Sequence, residues 1–418
     1  MIQASIITIG DELLIGQVVD TNSTWIAQQM NIAGIPIKRR LAVGDTWDDI
    51  WNALDQEAKE ADIILITGGL GPTSDDITKP LLCKYFNGNL VVNQEVLKNV
   101  TYLFEQVFKR PMIASNLKQA EVPDVCTVIQ NKRGTAPGMW FEKDEKIFIS
   151  MPGVPHEMKG MIEEIIPMLK DRFSLPAIIH RTLLTSGVGE SSLAEMIKDF
   201  ESGLPPSIKL AYLPAYGMVR LRLSSSGMHK AEVEQEVSSK FKALVDLVKQ
   251  YLVTDEDEPM EQVVGKLLVR QKKTIATAES CTGGYIAHLL TSHAGASDYF
   301  RGAIVSYDNE IKSKILGVSS LTLLTSGAVS EETVKEMLIG VLDKMGTDYA
   351  IAVTGIMGPG GGSDQKPVGT IWIAAGSKAV VQTQKIHLRF DRLKNIQVTA
   401  TIALDLLRKT VIRQASSS

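Results

Sequence analysis

The chain has 418 residues, 44% of them hydrophobic and 22% charged, with a formal net charge of −4 at pH 7. That length predicts two or three globular domains, and the charge offers no bulk attraction to nucleic acid or to an anionic membrane surface. No apolar run approaches the ~20 residues of a membrane span, the opening MIQASIITIGDE has acids where a secretion signal needs lysines, and Cys83, Cys126 and Cys281 form neither a disulfide framework nor a metal knuckle. The expectation is a reduced, cytoplasmic protein.

In chain order, residues 6–9 read as a strand ending at Gly10, with Asp11 and Glu12 next. Asn22 or Ser23 is placed to cap a helix through Met30 that stops near Gly34. Residues 38–43 make a second strand before Gly44 and Asp45, and Ile50, Leu54 and Ala58 recur at helical spacing. A third strand, 63–67, runs into TGGLGPTSDDITKP. Strands alternating with helices predict a parallel sheet covered on both faces, with ligands beyond the carboxyl ends of its strands. There Gly68, Gly69 and Gly71 can cradle phosphate and Asp75 and Asp76 can hold a hard divalent cation, and three strand ends carrying Asp11, Asp45 and Asp75 favour a site. Asp76 can equally cap the next helix, which bears Ile77, Leu81 and Leu82. Glu157, before a helix carrying Met161, Ile165 and Met168, reads as a site acid or as a first-turn acid, and Gly134, Ala136, Pro137 and Gly138 read as a loop beside the site.

Strands 178–185, 208–213, 219–225 and 252–254, with helices 190–200 and 229–249, give a β-α-β-β-α-β order that suggests a small ferredoxin-like or KH-like layer. Arg220 and Arg222 alternate with Val219, Leu221 and Leu223, as on a solvated sheet face. SGVGES is a poor GXXG loop, so a spacer or dimer contact is favoured over RNA binding. Residues 254–259, TDEDEP, read as a charged linker, with Pro259 opening the next helix.

A further strand, 275–278, turns through ESCTGG directly into a helix bearing Ile286, Leu289 and Leu290. Glycines at such a turn let backbone approach a ligand, and free amides at the helix start suit a phosphate or an oxyanion. The plainer alternative is close packing, with Ser280 or Thr282 as N-cap. Strand 303–306 then ends in Tyr307, Asn309 and Lys312, and a serine near a lysine or tyrosine that takes its proton is an activated nucleophile. Cys281 reads as a packed small residue. Ser330 reads as an N-cap, with Glu331 and Glu332 in the first turn. Strand 350–353 leads into the glycine-rich 354–362, a loop suited to cover a ligand. Lys366, before strand 370–375, can bring a cation to a phosphate or stay a solvated loop lysine.

IGDELLIGQVVDTNS, TGGLGPTSDDIT, GTAPGM and MPGVPHEM, in that order, closely resemble the N-terminal domain of the CinA family, which is related to the molybdopterin-binding fold of the MogA and MoeA proteins. AESCTGG, SYDNEIK, TSGAVS and TGIMGPGGGSDQKPVGT resemble the PncC, or nicotinamide-nucleotide amidase, domain of the same family. The resemblance spans nearly the whole chain. It implies an α/β protein with a three-layer MogA/MoeA-like domain over 1–170, a ferredoxin- or KH-like α+β connector over 171–254 and an α/β PncC-like domain over 259–414.

The function it implies is twofold. The C-terminal domain would deamidate nicotinamide mononucleotide to nicotinic acid mononucleotide and ammonia without a cofactor. The N-terminal domain would hydrolyse the pyrophosphate of ADP-ribose, assisted by a divalent metal of the Mg, Mn or Co class, and the chain would form a homodimer without nucleic-acid or membrane partners. By this resemblance Ser280 is the nucleophile and Tyr307 and Lys312 move its proton, the order of the two left open. Thr282, Gly283, Gly284, Asn309, Thr354, Gly355, Gly358, Gly361, Gly362, Lys366 and Arg392 would bind the amide substrate. Gly10, Asn22, Thr67, Gly68, Gly69, Gly71, Thr73 and Gly138 would bind ADP-ribose, with Asp11, Asp45, Asp75 and Asp76 on the metal. One departure stands out: in FDRLKNIQ, Arg392 keeps the family's first arginine, but Ile396 or Gln397 takes the second one's place. The rival readings are a molybdopterin-binding transferase and a nucleotide-binding regulator without turnover.

Overall fold

Residues 4–9, 63–67 and 146–151 are almost wholly apolar, which suits strands buried on both faces, and the computed structural model sets them side by side. It describes the chain except for residues 1, 72, 74, 75 and 418 and the side chains of residues 114, 115, 416 and 417. The chain divides into two compact units, Met1–His180 with Ser224–Ser238 and Arg181–Leu223 with Ser239–Ser418. The first contains a six-stranded sheet in the order Ile37–Val43, Ala4–Ile9, Ile63–Thr67, Lys146–Met151, Gly138–Lys143 and Thr127–Ile129. The first four strands are parallel and the last two antiparallel. Gly10, Gly44, Gly68 and Pro152 therefore follow strands that end on the same side of the sheet.

Helices Thr21–Ile32 and Pro155–Arg172 cover one face, packing Ile26, Met30, Ile162 and Ile165 against Ile6, Leu65 and Ile149. Trp47–Glu60 and Thr78–Tyr85 cover the other, with Ile50, Leu54, Leu81 and Leu82 on Ile7, Ile64 and Phe148. The three expected layers are present. Two capping expectations are corrected. Asp20, not Asn22 or Ser23, caps Thr21–Ile32 by accepting from Ser23 N at 2.8 Å, and its carboxylate also takes the Thr8 hydroxyl at 3.2 Å, which ties the cap to the first strand. Asp76 does not cap Thr78–Tyr85; its Oδ2 accepts from Thr73 N at 2.9 Å and from the Thr73 hydroxyl, so it closes its own turn.

The middle sheet has the order Lys209–Ala215, Met218–Gly227, Ala177–Ser186, Leu252–Thr254, and its first helix is split at Ile197 into Glu190–Met196 and Lys198–Ser202. Arg220 and Arg222 are half-buried rather than solvated. Arg220 lies 3.5 Å from Asp257, and Arg222 Nε is buried with no hydrogen-bond partner among the described residues. Nor is 254–259 a loose linker. Lys266, on helix Met260–Gln271, holds Glu256 at 2.6 Å and the buried Glu258 at 2.5 Å. Charge in the segment is spent on fixed ion pairs, a tertiary fact that its composition conceals.

The five-stranded C-terminal sheet runs Phe300–Val305, Ile275–Glu279, Tyr349–Gly355, Thr370–Gly376, Val381–His387, with the first three strands parallel and the rest antiparallel. Met260–Gln271, Tyr285–Thr291 and Arg392–Ser417 pack on one face. Glu331–Met345 packs on the other, over Ala276, Ala278, Ala350, Ala352 and Ala374, small side chains that let the helix sit close. Among the described residues no helix is long and apolar enough to cross a membrane.

Candidate active sites

Just beyond the ends of the three parallel C-terminal strands the chain walls a cavity of about 280 Å³. Ser280, Cys281, Tyr307, Asn309, Lys312, Thr354, Gly355, Gly358, Gly361 and Arg392 all line it. Ser280 is 8% exposed, and its hydroxyl has no hydrogen-bond partner among the described residues. Lys312 arrives on helix Asn309–Lys314, which turns sharply after Tyr307 because Asp308 caps it by accepting from Glu310 N at 2.7 Å. The lysine is 2% exposed, and its Nζ donates to Ser306 O at 2.9 Å and Tyr307 O at 3.2 Å. Those bonds use two of an ammonium's three donors, and burial holds the amine below the usual lysine range.

Arg392 joins two parts of the wall, donating Nη1 to Gly358 O and Nη2 to Tyr307 Oη, both at 2.8 Å. Asn395, fully buried one turn along the same helix, donates to Met357 O at 3.1 Å and Phe390 O at 3.0 Å and so fixes the glycine-rich loop. Burial pushes the Cys281 thiol up to about 12, so it is protonated at neutral pH and a weak nucleophile. The amides of Gly358, Gly360 and Gly361 belong to wall residues and have no hydrogen-bond partner among the described residues. They are the available donors for developing negative charge.

In the first unit, the ends of the parallel strands wall a cavity of about 390 Å³ that includes Gly10, Glu12, Asp45, Gly68, Gly69, Gly71, Asp76, Gln119 and Glu157. A smaller cavity of about 140 Å³, with Asn22 and Thr67 on its wall, shares Ile9, Glu12 and Gly153 with the larger one. Glycine is required at the turn. A Cβ at Gly68 would stand 2.3 Å from Ile9 O, and one at Gly69, where φ is +64°, 2.1 Å from Thr78 Oγ1. Glu157, in the first turn of Pro155–Arg172, accepts from Asn131 Nδ2 at 2.7 Å and packs where a Cβ at Gly134 would stand 2.2 Å from its Oε2. Burial raises its pKa.

Residues 5–171 match the family model described as a probable molybdopterin binding domain, residues 180–254 the damage-inducible protein CinA KH domain, and residues 257–411 the CinA C-terminal domain. A CinA-like protein of Cytophaga hutchinsonii is 48% identical over 409 residues, 98% of each chain. The chain belongs to the CinA family. A putative competence-damage inducible protein of Halothermothrix orenii is 39% identical over 402 residues, 96% of each chain. The crystal structure of the competence damage-inducible protein A from Klebsiella pneumoniae matches at 32% identity, covering 37% of this chain and 98% of that one, with a TM-score of 0.36.

Not every residue expected from the CinA resemblance reaches a cavity. Thr282, Gly283 and Gly284 stay off the wall, and the helix-start amides are not free. Glu279, fully buried one residue before Ser280, accepts from Gly284 N at 3.0 Å, Ile286 N at 3.1 Å and Ala287 N at 2.8 Å. An internal carboxylate thus satisfies the orphan donors that were expected to meet the ligand. Lys366 points its Nζ at Ser326 O, 2.6 Å away, and braces two loops; Gly362 is a packing glycine, a Cβ there lying 2.7 Å from Val368 N.

In the N-terminal domain Asp11 is off the wall. It and Asp45 exchange amide-to-carboxylate bonds of 3.1 and 3.2 Å, a tie between two strand ends. Thr73 is taken by Asp76, and Gly138 lies inside a strand, where a Cβ would stand 2.9 Å from Met161 Sδ. Asp75 lies outside the described residues. Among the described residues no three His, Cys, Asp or Glu converge to hold a metal ion, so those residues do not by themselves form a metal cage. Asp45 and Asp76 are the expected acids on the wall, and a cation there would draw other ligands from a bound diphosphate, as Mg²⁺ sites commonly do. Sequence reading missed Glu279, Asn395 and Gln119. Glu279 had one available signal, an acid ending an otherwise apolar strand just before a helix; the other two had none.

Proposed function

We propose that the C-terminal cavity hydrolyses the carboxamide of nicotinamide mononucleotide to nicotinic acid mononucleotide and ammonia. The observation that carries this reading is the presence, on one small cavity, of an unbonded hydroxyl at Ser280 and an amine at Lys312 whose burial favours its neutral form. Ser280 Oγ bonds to the amide carbon as its proton passes to the neutral amine, and the oxyanion is met by the unengaged wall amides. The proton then goes to the substrate nitrogen, the C–N bond breaks and ammonia leaves. Water adds to the resulting ester, gives its proton to the same base, and expels the serine oxygen, which regains a proton. Tyr307, fixed by Arg392, is the alternative proton carrier.

For the N-terminal cavity the proposed substrate is ADP-ribose, cleaved at its diphosphate. The glycine turn at 68–71 and the carboxylates of Asp45 and Asp76 support this reading. A divalent cation bound with the phosphates would neutralise their charge. The match to a molybdopterin binding domain supports a second reading, adenylyl transfer to molybdopterin, which a direct assay of that transfer against ADP-ribose cleavage separates. The amidase reading is tested by ammonia release from nicotinamide mononucleotide by the full chain. Release is expected; its absence at saturating substrate overturns the reading.

A further inference from the structure

Within the second compact unit, the middle sheet reaches the C-terminal cavity through one hairpin turn. Tyr216 and Gly217 join strands Lys209–Ala215 and Met218–Gly227, with Gly217 at φ +69°, the left-handed conformation that lets the chain reverse there. Turns favour small polar residues, yet this one carries an aromatic ring, and the ring is turned onto the C-terminal domain. It meets Phe390 edge to face, with centroids 5.0 Å apart and planes at 74°, and the Lys394 ammonium lies 3.9 Å from its centroid. Both arrangements are attractive, one between ring edge and ring face, the other between a cation and the negative face of a ring.

Two further bonds fix where the turn sits. Gly187 N donates to Gly217 O at 3.1 Å, and the neighbouring Ser186 hydroxyl donates to Asp405 Oδ2 at 2.6 Å, both side chains being buried. Asp405 lies on helix Arg392–Ser417, so the middle sheet holds that helix near Asp405 and again at its start. Between Phe390 and Lys394 stands Arg392, whose guanidinium bonds to Gly358 O and Tyr307 Oη. Asn395 secures this turn from inside, accepting from Phe390 N at 3.3 Å and donating to Phe390 O at 3.0 Å. Phe390, Asp391 and Leu393 are exposed, so the outer side of the turn depends on Tyr216.

We propose that Tyr216 is a positioning residue for amide hydrolysis: its ring holds the 390–394 turn so that Arg392 keeps Tyr307 and the Gly358 loop in place. The inference rests on the amidase reading of the cavity and deepens it. The middle sheet then belongs to the working amidase and is more than a spacer. Arg392 touches the cavity wall with a fork of two bonds, and small displacements of such a group are costly to catalysis. Both contacts of Tyr216 are made by its ring, and its hydroxyl has no hydrogen-bond partner among the described residues. Phenylalanine therefore keeps the brace, whereas an aliphatic side chain loses the charge distribution that both contacts use.

The test uses the full chain throughout. Ammonia release from nicotinamide mononucleotide is compared among wild type, Tyr216→Ala and Tyr216→Phe, with Arg392 present and with Arg392→Ala, and amide hydrogen exchange over residues 388–395 is compared between wild type and Tyr216→Ala. Tyr216→Ala is expected to lower kcat/KM about three- to tenfold and Tyr216→Phe to keep it within about twofold. In the Arg392→Ala background Tyr216→Ala should cost nothing further, because the brace then has nothing to hold. Exchange over 388–395 should be at least about threefold faster in Tyr216→Ala. Undiminished kcat/KM in Tyr216→Ala, or equal losses with and without Arg392, overturns the assignment while leaving the amidase reading in place. If the wild type releases no ammonia, the amidase reading falls and exchange alone decides the brace, an unchanged rate overturning it. Exchange likewise decides where Arg392→Ala is inactive, and Tyr216→Leu replaces a Tyr216→Ala that does not fold, under the same criteria.

Discussion

Glu279 Oε2 accepts the Gly284 amide at 3.0 Å, so the residue before the candidate nucleophile closes the start of the helix that follows it. The same carboxylate binds the amides of Ile286 and Ala287 and the Thr277 hydroxyl. It therefore fixes the Ser280 turn from inside and keeps an anionic ligand away from those amides. Glutamine at this position has one acceptor oxygen and turns an NH₂ group toward backbone donors. Glu279→Gln is expected to destabilise the C-terminal domain by about 2 kcal/mol, read as a lowered urea midpoint. An unchanged midpoint would show that the cap is energetically idle.

Lys312→Met keeps the buried stem and removes the amine. Ammonia release is expected to fall about 10²- to 10⁴-fold, the range for loss of a positioned proton carrier. In the proposed mechanism the neutral amine is the active form, and burial lowers its pKa from 10.5. The neutral fraction grows with pH, so kcat/KM should rise with pH along a limb centred below 10.5. The linkage has the same sign: between the folded and unfolded pKa values the unfolded chain binds more protons, so stability also rises with pH there. A limb centred at or above the ordinary lysine value would count against Lys312 as the base.

Cys281 sits beside Ser280 on the same wall, but its thiol is pushed up to about 12 by burial. Native protein treated with iodoacetamide at pH 8 should therefore show no label on the Cys281 peptide, while unfolded protein should. Cys281→Ala should retain ammonia release of the wild-type order. Loss of release from the folded variant would transfer the nucleophile's role to sulfur.

Both candidate sites were legible in the sequence where function is local to strand ends. Ser280, Tyr307 and Lys312 follow two neighbouring parallel strands, so a correct reading of the strands brought them together. What stayed hidden depends on the chain returning to itself. Glu279 reads as the last residue of a strand until the helix start folds over it, and the tie of the Asp20 cap to the first strand exists only once Thr8 lies beside it. Lys366 resembles a phosphate ligand because its role, a bond to Ser326 O, joins residues 40 positions apart. The acids of 254–259 look like a solvated linker until Lys266 is seen to hold them.

Glu157 gives a test of the N-terminal cavity. Burial raises its folded pKa above 4.5, so its contribution to stability is fully present below the unfolded value and is lost as pH rises through the folded one. Glu157→Gln keeps an acceptor for Asn131 Nδ2 and does not ionise. The stability of the variant relative to wild type should thus be greater at pH 7 than at pH 4, measured by urea unfolding at each. A difference that does not change with pH would mean that the carboxyl is as well solvated folded as unfolded.

The central claim is that the Ser280 hydroxyl attacks the amide of a nucleotide. The most direct measurement is steady-state ammonia release from nicotinamide mononucleotide by wild type and by Ser280→Ala, a change that removes one oxygen from a residue only 8% exposed. The account predicts a loss of about 10³-fold or more in kcat, on the scale seen when a covalent nucleophile is removed. Release at comparable rates from the two proteins would contradict it.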